Sequence, residues 1–312
     1  MSEQTFDRRD WIKRSLSGVA ATAACPWIGQ PFASEPTNPS HGWLRKTLKF
    51  NMIGVEGGLA EKMAAARQAG FEGVEPNVPL ANDDEVQSMT DAASASGIII
   101  DGTVGGYHWQ IRHTDPDPEV RRRAADRLAQ GIRQTAAMNA DTMLLVPGHG
   151  KDGDAGTVRR LATEAVRQAL PTAEENGVKI LIENVWNQMF YDPSAGDQQT
   201  ADDLAAFIDA FDSPWIGVQY DIGNHWKFGD PAAWIRTLGD RIVKLDIKGF
   251  SRSADQFTKI TEGDIRWDEV KGALRDIGYR GWLAAEVRGG DLGRLKEISD
   301  HLDEALQCSE TI

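Results

Sequence analysis

The chain has 312 residues, 41% of them hydrophobic and 26% charged, enough for one soluble domain of roughly 250 residues plus a leader. Its net charge of −13 argues against a nucleic-acid partner, because phosphate binding needs a basic footprint. Cys25 and Cys308 are its only cysteines, which excludes a disulfide framework and a multi-cysteine metal site.

At the N-terminus, Arg8-Arg9-Asp10-Trp11-Ile12-Lys13 precedes a mildly apolar stretch, residues 16–28, rich in Ala, Gly and Ser. The paired arginines, two apolar residues and lysine resemble a twin-arginine export signal. The stretch is too short for a stable membrane span. Residues 1–33 read as the signal peptide, with Pro31-Phe32-Ala33 as a processing site, and residues 34–46 as a linker. Thr22-Ala23-Ala24-Cys25 lacks the leucine of a lipobox, which disfavours a lipid anchor. The expectation is export of the folded protein to the periplasm by the Tat machinery.

From Thr47 onward, β-rich and helical segments alternate without a domain break. The spacing predicts strand one over residues 48–53 and a helix over 59–69, stopped by Gly70. Gly73-Val74-Glu75 closes strand two, and a helix over 83–96 is stopped by Gly97. Residues 98–103 read as strand three, and 117–138 as a long helix with Asp117 as its cap and Pro118 in its first turn. Residues 141–146 give strand four, then the loop Pro147-Gly148-His149-Gly150 and a helix over 158–176 ending at Gly177.

Four further apolar runs each close on an acid: 179–183 on Glu183, 216–221 on Asp221, 242–246 on Asp246 and 282–286 on Glu286. Helices over 200–210, 231–238 and 267–277 separate them, and a last helix covers 292–307. Eight strand–helix pairs in order predict an α/β fold, a (β/α)8 TIM barrel forming a single domain over residues 47–308. An open doubly wound sheet would want a Gly-rich dinucleotide loop after strand one, and the sequence has none there. In a barrel the four terminal acids converge on the C-terminal mouth. Four like charges there repel unless protons remain bound or a cation joins them. The pattern predicts one divalent metal ion.

The stretches Ile182-Glu183-Asn184-Val185-Trp186-Asn187, Tyr220-Asp221-Ile222-Gly223-Asn224 and Glu262-Gly263-Asp264-Ile265-Arg266-Trp267, with Gly278-Tyr279-Arg280-Gly281-Trp282-Leu283 through Glu286, carry a family likeness. They resemble the xylose-isomerase-like sugar phosphate isomerase/epimerase family, which includes ketose 3-epimerases, hydroxypyruvate isomerases and inosose-processing enzymes. The resemblance implies Glu183, Asp221 and Glu286 as metal ligands. It places Asp246 where the family normally has a His followed two residues later by Lys. An all-oxygen set favours Mn2+ or Mg2+ over Zn2+. The resemblance also implies acid/base roles for Glu183 and Glu286, one on each side of an enediolate.

Substrate-binding candidates surround these acids. His149 follows strand four, Tyr107-His108-Trp109 follows strand three with His108 in a pocket wall, and Glu75 ends strand two, placed to bind a substrate hydroxyl or to cap the mouth. Asn224 and His225 follow Asp221, Trp186 offers a ring for a sugar face, and Lys248 shares a strand face with Asp246, placed to offset negative charge or to bind a substrate oxygen. Arg288 lies in the loop after strand eight, which holds phosphate in some barrels.

The expected function is a metal-dependent isomerase or 3-epimerase acting on a small-molecule carbohydrate or related hydroxy-carbonyl compound. Alternatives are a lyase or dehydratase acting on an inosose or 3-keto-sugar, and a non-catalytic, exported carbohydrate-binding barrel. A multi-zinc endonuclease of the same superfamily would need many His and a basic groove, against six His and −13 here. A homo-oligomer is compatible with the chain.

Overall fold

The computed structural model describes residues 43–308; the signal expected over 1–33 and the linker up to residue 42 lie outside the described residues. Strand β1 (Leu44–Lys49) leads through a 3-10 turn to helix α1 (Leu59–Gln68). β1 starts earlier than its apolar run suggests, inside the span expected to be linker. The charges that disguise it are partnered, Arg45 on the barrel side of the sheet and Lys46 on the helix side. The Arg45 guanidinium lies 3.8 Å from the centre of the Trp282 ring and pairs with Glu72, while Lys46 Nζ donates to Ser299 Oγ at 2.8 Å.

β2 (Gly73–Glu75) and β3 (Asn77–Val78) are one barrel strand broken at Pro76, which has no N–H to give the ladder. Helix α2 (Asp83–Ser96) follows. β4 (Ile99–Ile100) and β5 (Thr103–Gly105) make the third barrel strand, followed by α3 (Pro118–Ala137). Then come β6 (Thr142–Leu145), α4 (Ala155–Asn176), β7 (Lys179–Glu183), α5 (Asp202–Asp209), β8 (Ile216–Asp221) and the short α6 (Ile222–Trp226). After α7 (Pro231–Leu238) and β9 (Ile242–Ile247), a small hairpin, β10 (Gly249–Ser251) and β11 (Gln256–Thr258), precedes α8 (Trp267–Asp276), β12 (Gly281–Ala285) and α9 (Leu292–Leu306). The stops read from the sequence hold: Gly97 and Gly177 cap α2 and α4 with φ of 69° and 65°.

The strands pair in the order β3-β5-β6-β7-β8-β9-β12-β1-β2-β4, all parallel. The two ends of that order are the same place. β3 continues β2, and β4 continues into β5, so both pairings, β2 with β4 and β3 with β5, join the second barrel strand to the third. The sheet therefore curls closed as a TIM barrel, with the helices outside it. Every residue of β8 is buried, and four of the five in β7, as expected for strands covered on both faces. α9 seals its side through Leu295, Ile298, Leu302 and Leu306, each contributing about 1.5–3 kcal/mol by its burial.

Candidate active site

The barrel interior is set by a register shift. Val218 pairs with Ile242, but Gln219 pairs with Lys244 and Asp221 with Asp246, so Val243 is bulged out. A one-residue slip moves a whole strand's side chains to the other face. Here it turns Lys244, Asp246 and Lys248 inward with Gln219 and Asp221.

Three lysines thread the acids together. Lowest, Lys244 Nζ stands 2.7 Å from both Glu75 Oε1 and Asp101 Oδ2. Above it, Lys49 Nζ stands 2.7 Å from both Glu75 Oε2 and Asp246 Oδ1, and Gln219 Nε2 donates to Asp246 Oδ1 at 2.9 Å. At the mouth, Lys248 Nζ reaches Asp221 Oδ2 at 2.6 Å and Glu286 Oε2 at 2.7 Å. A Cβ on residue 223 would sit 2.2 Å from Lys248 Cγ, so Gly223 is what lets that lysine lie across the start of α6. Asp221 Oδ1 also accepts the Asn224 N–H at 2.8 Å, capping α6.

Glu183, Asp246 and Glu286 come together, each offering an oxygen within 4.8 Å of the others. Asp221 stands beside this trio, held by Lys248. Two features suit a cation. Asp246 Oδ2 is buried without a hydrogen-bond partner. Burial first, then the charges of Glu286 and Asp246, push the Glu183 carboxyl well above its ordinary range. An added positive charge would relieve that repulsion, and three carboxylates form a hard, all-oxygen donor set.

Their surroundings push the acids in opposite directions. Burial works against the Glu286 charge, but Lys248 and Lys49 outweigh it and hold its carboxyl low. Glu75 is likewise held down to about 2 by Lys244 and Lys49 against its burial. Burial pushes Asp221 up to about 7, and Asp246 and Asp101 up to about 6, against the pull of Lys49 and Lys244 respectively.

A carboxyl raised by folding contributes stability that is complete below its unfolded value and is lost as pH rises through its folded one. His108 and His113, which burial lowers to about 3 and about 4, act with the opposite sign, but only below their unfolded value of 6.5. Glu75 acts below its ordinary 4.5. Between pH 6.5 and 8, Asp221 and Glu183 therefore decide. In EDTA the melting temperature is expected to fall by roughly 3 °C or more across that window. A flat or rising calorimetric profile there would contradict these protonation states.

The mouth opens into a cleft of about 630 Å³ lined by Lys49, His108, Trp109, Glu183, Trp186, Asn224, Lys248, Phe257 and Glu286, among others. Of the predicted substrate-binding residues, His108, Trp186, Asn224 and Lys248 thus face it. His108 Nδ1 accepts the Val146 N–H at 3.3 Å, and Trp186 Nε1 donates to Asn224 O at 2.7 Å. Arg288 lines an adjoining cleft of about 490 Å³.

The structure places three candidates elsewhere. Glu75 is buried below the mouth as the partner of Lys244 and Lys49. His149 accepts the Lys151 N–H through Nδ1, capping a 3-10 turn. His225 packs into an aromatic cluster, its ring centre 3.7 Å from that of Trp234 and its Nδ1 3.1 Å from Tyr191 Oη. α6 begins at Ile222, and its turn carries residue 225 away from the side on which residue 224 meets the cleft.

Sequence reasoning missed Lys49, Lys244 and Phe257. The alternation Lys244, Asp246, Lys248 was a usable signal for Lys244.

The family described as Xylose isomerase-like TIM barrel matches residues 63–309. The chain belongs to this family. Among solved barrels it is similar to an L-ribulose 3-epimerase, at 19% identity over 85% of this chain and 95% of that one, with a TM-score of 0.70. It is similar also to the 3-keto-D-glucoside 4-epimerase of E. coli, at 15% identity over 85% and 100% of the two chains, TM-score 0.70. A D-tagatose 3-epimerase-like protein gives 18% identity over 84% and 98%, TM-score 0.69. At these identities the likeness is one of fold. An uncharacterised protein of Methanocaldococcus jannaschii is 25% identical over 186 residues, 57% of this chain. That stretch spans 62% of the relative's own length. Among the described residues no helix is long and apolar enough to cross a membrane.

Proposed function

We propose that this member of the xylose isomerase-like family is a divalent-cation-dependent isomerase or 3-epimerase of a small sugar, keto-sugar or related hydroxy-carbonyl compound. The observation that carries this reading is the meeting of Glu183, Asp246 and Glu286 at the barrel mouth, within 4.8 Å of one another. The fold likeness to epimerases supports it.

Glu183, Asp246 and Glu286 would hold the cation, with Asp221 at their side, and their oxygens favour Mn2+ or Mg2+. When bound, the cation supplies positive charge against the negative charge that develops on a carbonyl oxygen. The chain's own residues move the protons. Lys248 keeps Glu286 ionised, so Glu286 takes the proton from the carbon beside the carbonyl. Glu183, whose burial favours the protonated form, returns one. Returned to the opposite face of the same carbon, the proton gives the epimer; returned to the former carbonyl carbon, with the proton of the neighbouring hydroxyl passing to the former carbonyl oxygen, it gives the isomer. Neighbouring carboxyls with opposite protonation states are the arrangement such a division of labour needs.

Calorimetry with Mn2+, alongside turnover of a panel of ketoses, inososes and 3-keto-glycosides, tests the proposal. Asp246→Ala is expected to weaken Mn2+ binding by roughly 100-fold. Asp221→Ala, which removes a flanking partner, should weaken it by about 10-fold. Unchanged affinity in Asp246→Ala would sink the cation site.

We also propose export by the Tat machinery, on the Arg8-Arg9 pattern. Lysine at both positions keeps the charge but removes the pair, so the precursor should stay in the cytoplasm; unaltered export in cell fractions would refute it.

A further inference from the structure

We propose that the cleft is built for a disaccharide-like glycoside: the reacting ring lies at Glu183 and Glu286, and a second sugar ring lies over Phe257. This deepens the isomerase or epimerase reading and rests on it for the placement of the reacting ring.

Among the described residues the exposed large hydrophobics are Ile99, Trp109, Trp186 and Phe257, and all but Ile99 line this one cleft. Exposed aromatic surface gathered in one place marks a binding site. Trp186 is the support. Its ring stacks on Phe257 at 4.9 Å and 14°, Lys227 Nζ lies 4.8 Å from its centre, and Phe250 meets it edge-on at 5.5 Å. Thus braced, Phe257 stays 49% exposed, and Trp109, which lines the same cleft, is 46% exposed. Phe257 is carried by the β10–β11 hairpin, which pairs with itself and not with the barrel sheet. The barrel closes without this hairpin, which holds Phe257 at the cleft.

Size points the same way. At roughly 15–20 Å³ per heavy atom in a packed interior, one hexose fills about a third of the 630 Å³ cleft. The adjoining cleft of about 490 Å³ shares Lys248, Phe257 and Glu286 with it. A ligand seated at Glu286 therefore has room to continue past Phe257. The chemistry matches a sugar ring, which has apolar C–H faces for aromatic rings and a rim of hydroxyls for carboxylates and ammonium groups.

The test is binding of non-reacting probes to the full chain, followed by tryptophan fluorescence or calorimetry: cellobiose, maltose and sucrose against glucose. At least one disaccharide is expected to bind about 10-fold or more tightly than glucose. Phe257→Ala should erase most of that preference, and Phe257→Tyr should keep it. Equal affinity for glucose and all three disaccharides would overturn the proposal, as would a preference untouched by Phe257→Ala. Light scattering on the same samples guards the conclusion: if Phe257→Ala dissociates an oligomer and leaves sugar binding unchanged, the aromatics belong to an interface and the proposal falls. Because binding is read without turnover, Phe257-dependent disaccharide binding in a protein that turns over no ketose would sink the isomerase reading and leave the second-ring site standing.

Discussion

Glutamine in place of Glu286 is expected to lower turnover by roughly 100-fold or more with the fold intact. The side chain is 37% exposed at the mouth, so an isosteric amide costs little packing. It loses the proton-accepting oxygen and the ion pair with Lys248. Glu183→Gln should lower turnover comparably but for a different reason, since glutamine copies the shape of the protonated acid and has no proton to return. Deuterium separates the two. In D2O, Glu183→Gln should still exchange the substrate hydrogen beside the carbonyl, because Glu286 removes it, whereas Glu286→Gln should abolish exchange. Both residues belong to the trio that would hold the cation, so Mn2+ content must be measured in the same samples. If both variants keep the ion and near-normal turnover, the two-glutamate division is wrong.

Much of this site was legible because a parallel barrel strand is a short apolar run, and a polar residue at its C-terminal end stands out. Glu183, Asp221, Asp246 and Glu286 are visible on that ground alone. What could not be read was which charges lie inside the barrel. Lys49 looks like a soluble end of strand one, and its two carboxylates come from β2 and β9, distant in sequence. The inward turn of β9 depends on the bulge at Val243, which no local pattern announces. The β10–β11 hairpin escaped for a related reason. Its strands are three residues long, too short for alternation to register. His225 shows the converse limit. One residue beyond Asn224, it was as good a candidate by spacing, yet the turn of α6 sends it into the aromatic cluster.

The buried lysine of β9 carries the largest expected effect on stability. Lys244→Met should destabilise the fold by about 3–5 kcal/mol, the usual result of removing one partner from a buried ion pair. Lys244 and its two carboxylates are almost completely hidden, at 1% and 0% side-chain exposure. Methionine has nearly the same length as lysine, in a space that Gly102 keeps open, since a Cβ there would lie 2.5 Å from the present Nζ. Volume is therefore not the issue. Glu75 would keep Lys49, but Asp101 would lose its cation. Burial already pushes that carboxyl up to about 6 with the lysine in place, so without it Asp101 should take up a proton near neutral pH. Neutralising the stranded group in advance is the control: Lys244→Met with Asp101→Asn should recover much of the loss, because neither member of the pair is left charged and alone. Urea denaturation of the single and double variants reads the coupling directly. If Lys244→Met stays within about 1 kcal/mol of the parent, or if the double variant loses the full sum of the two single changes, the lysine does not hold these acids together.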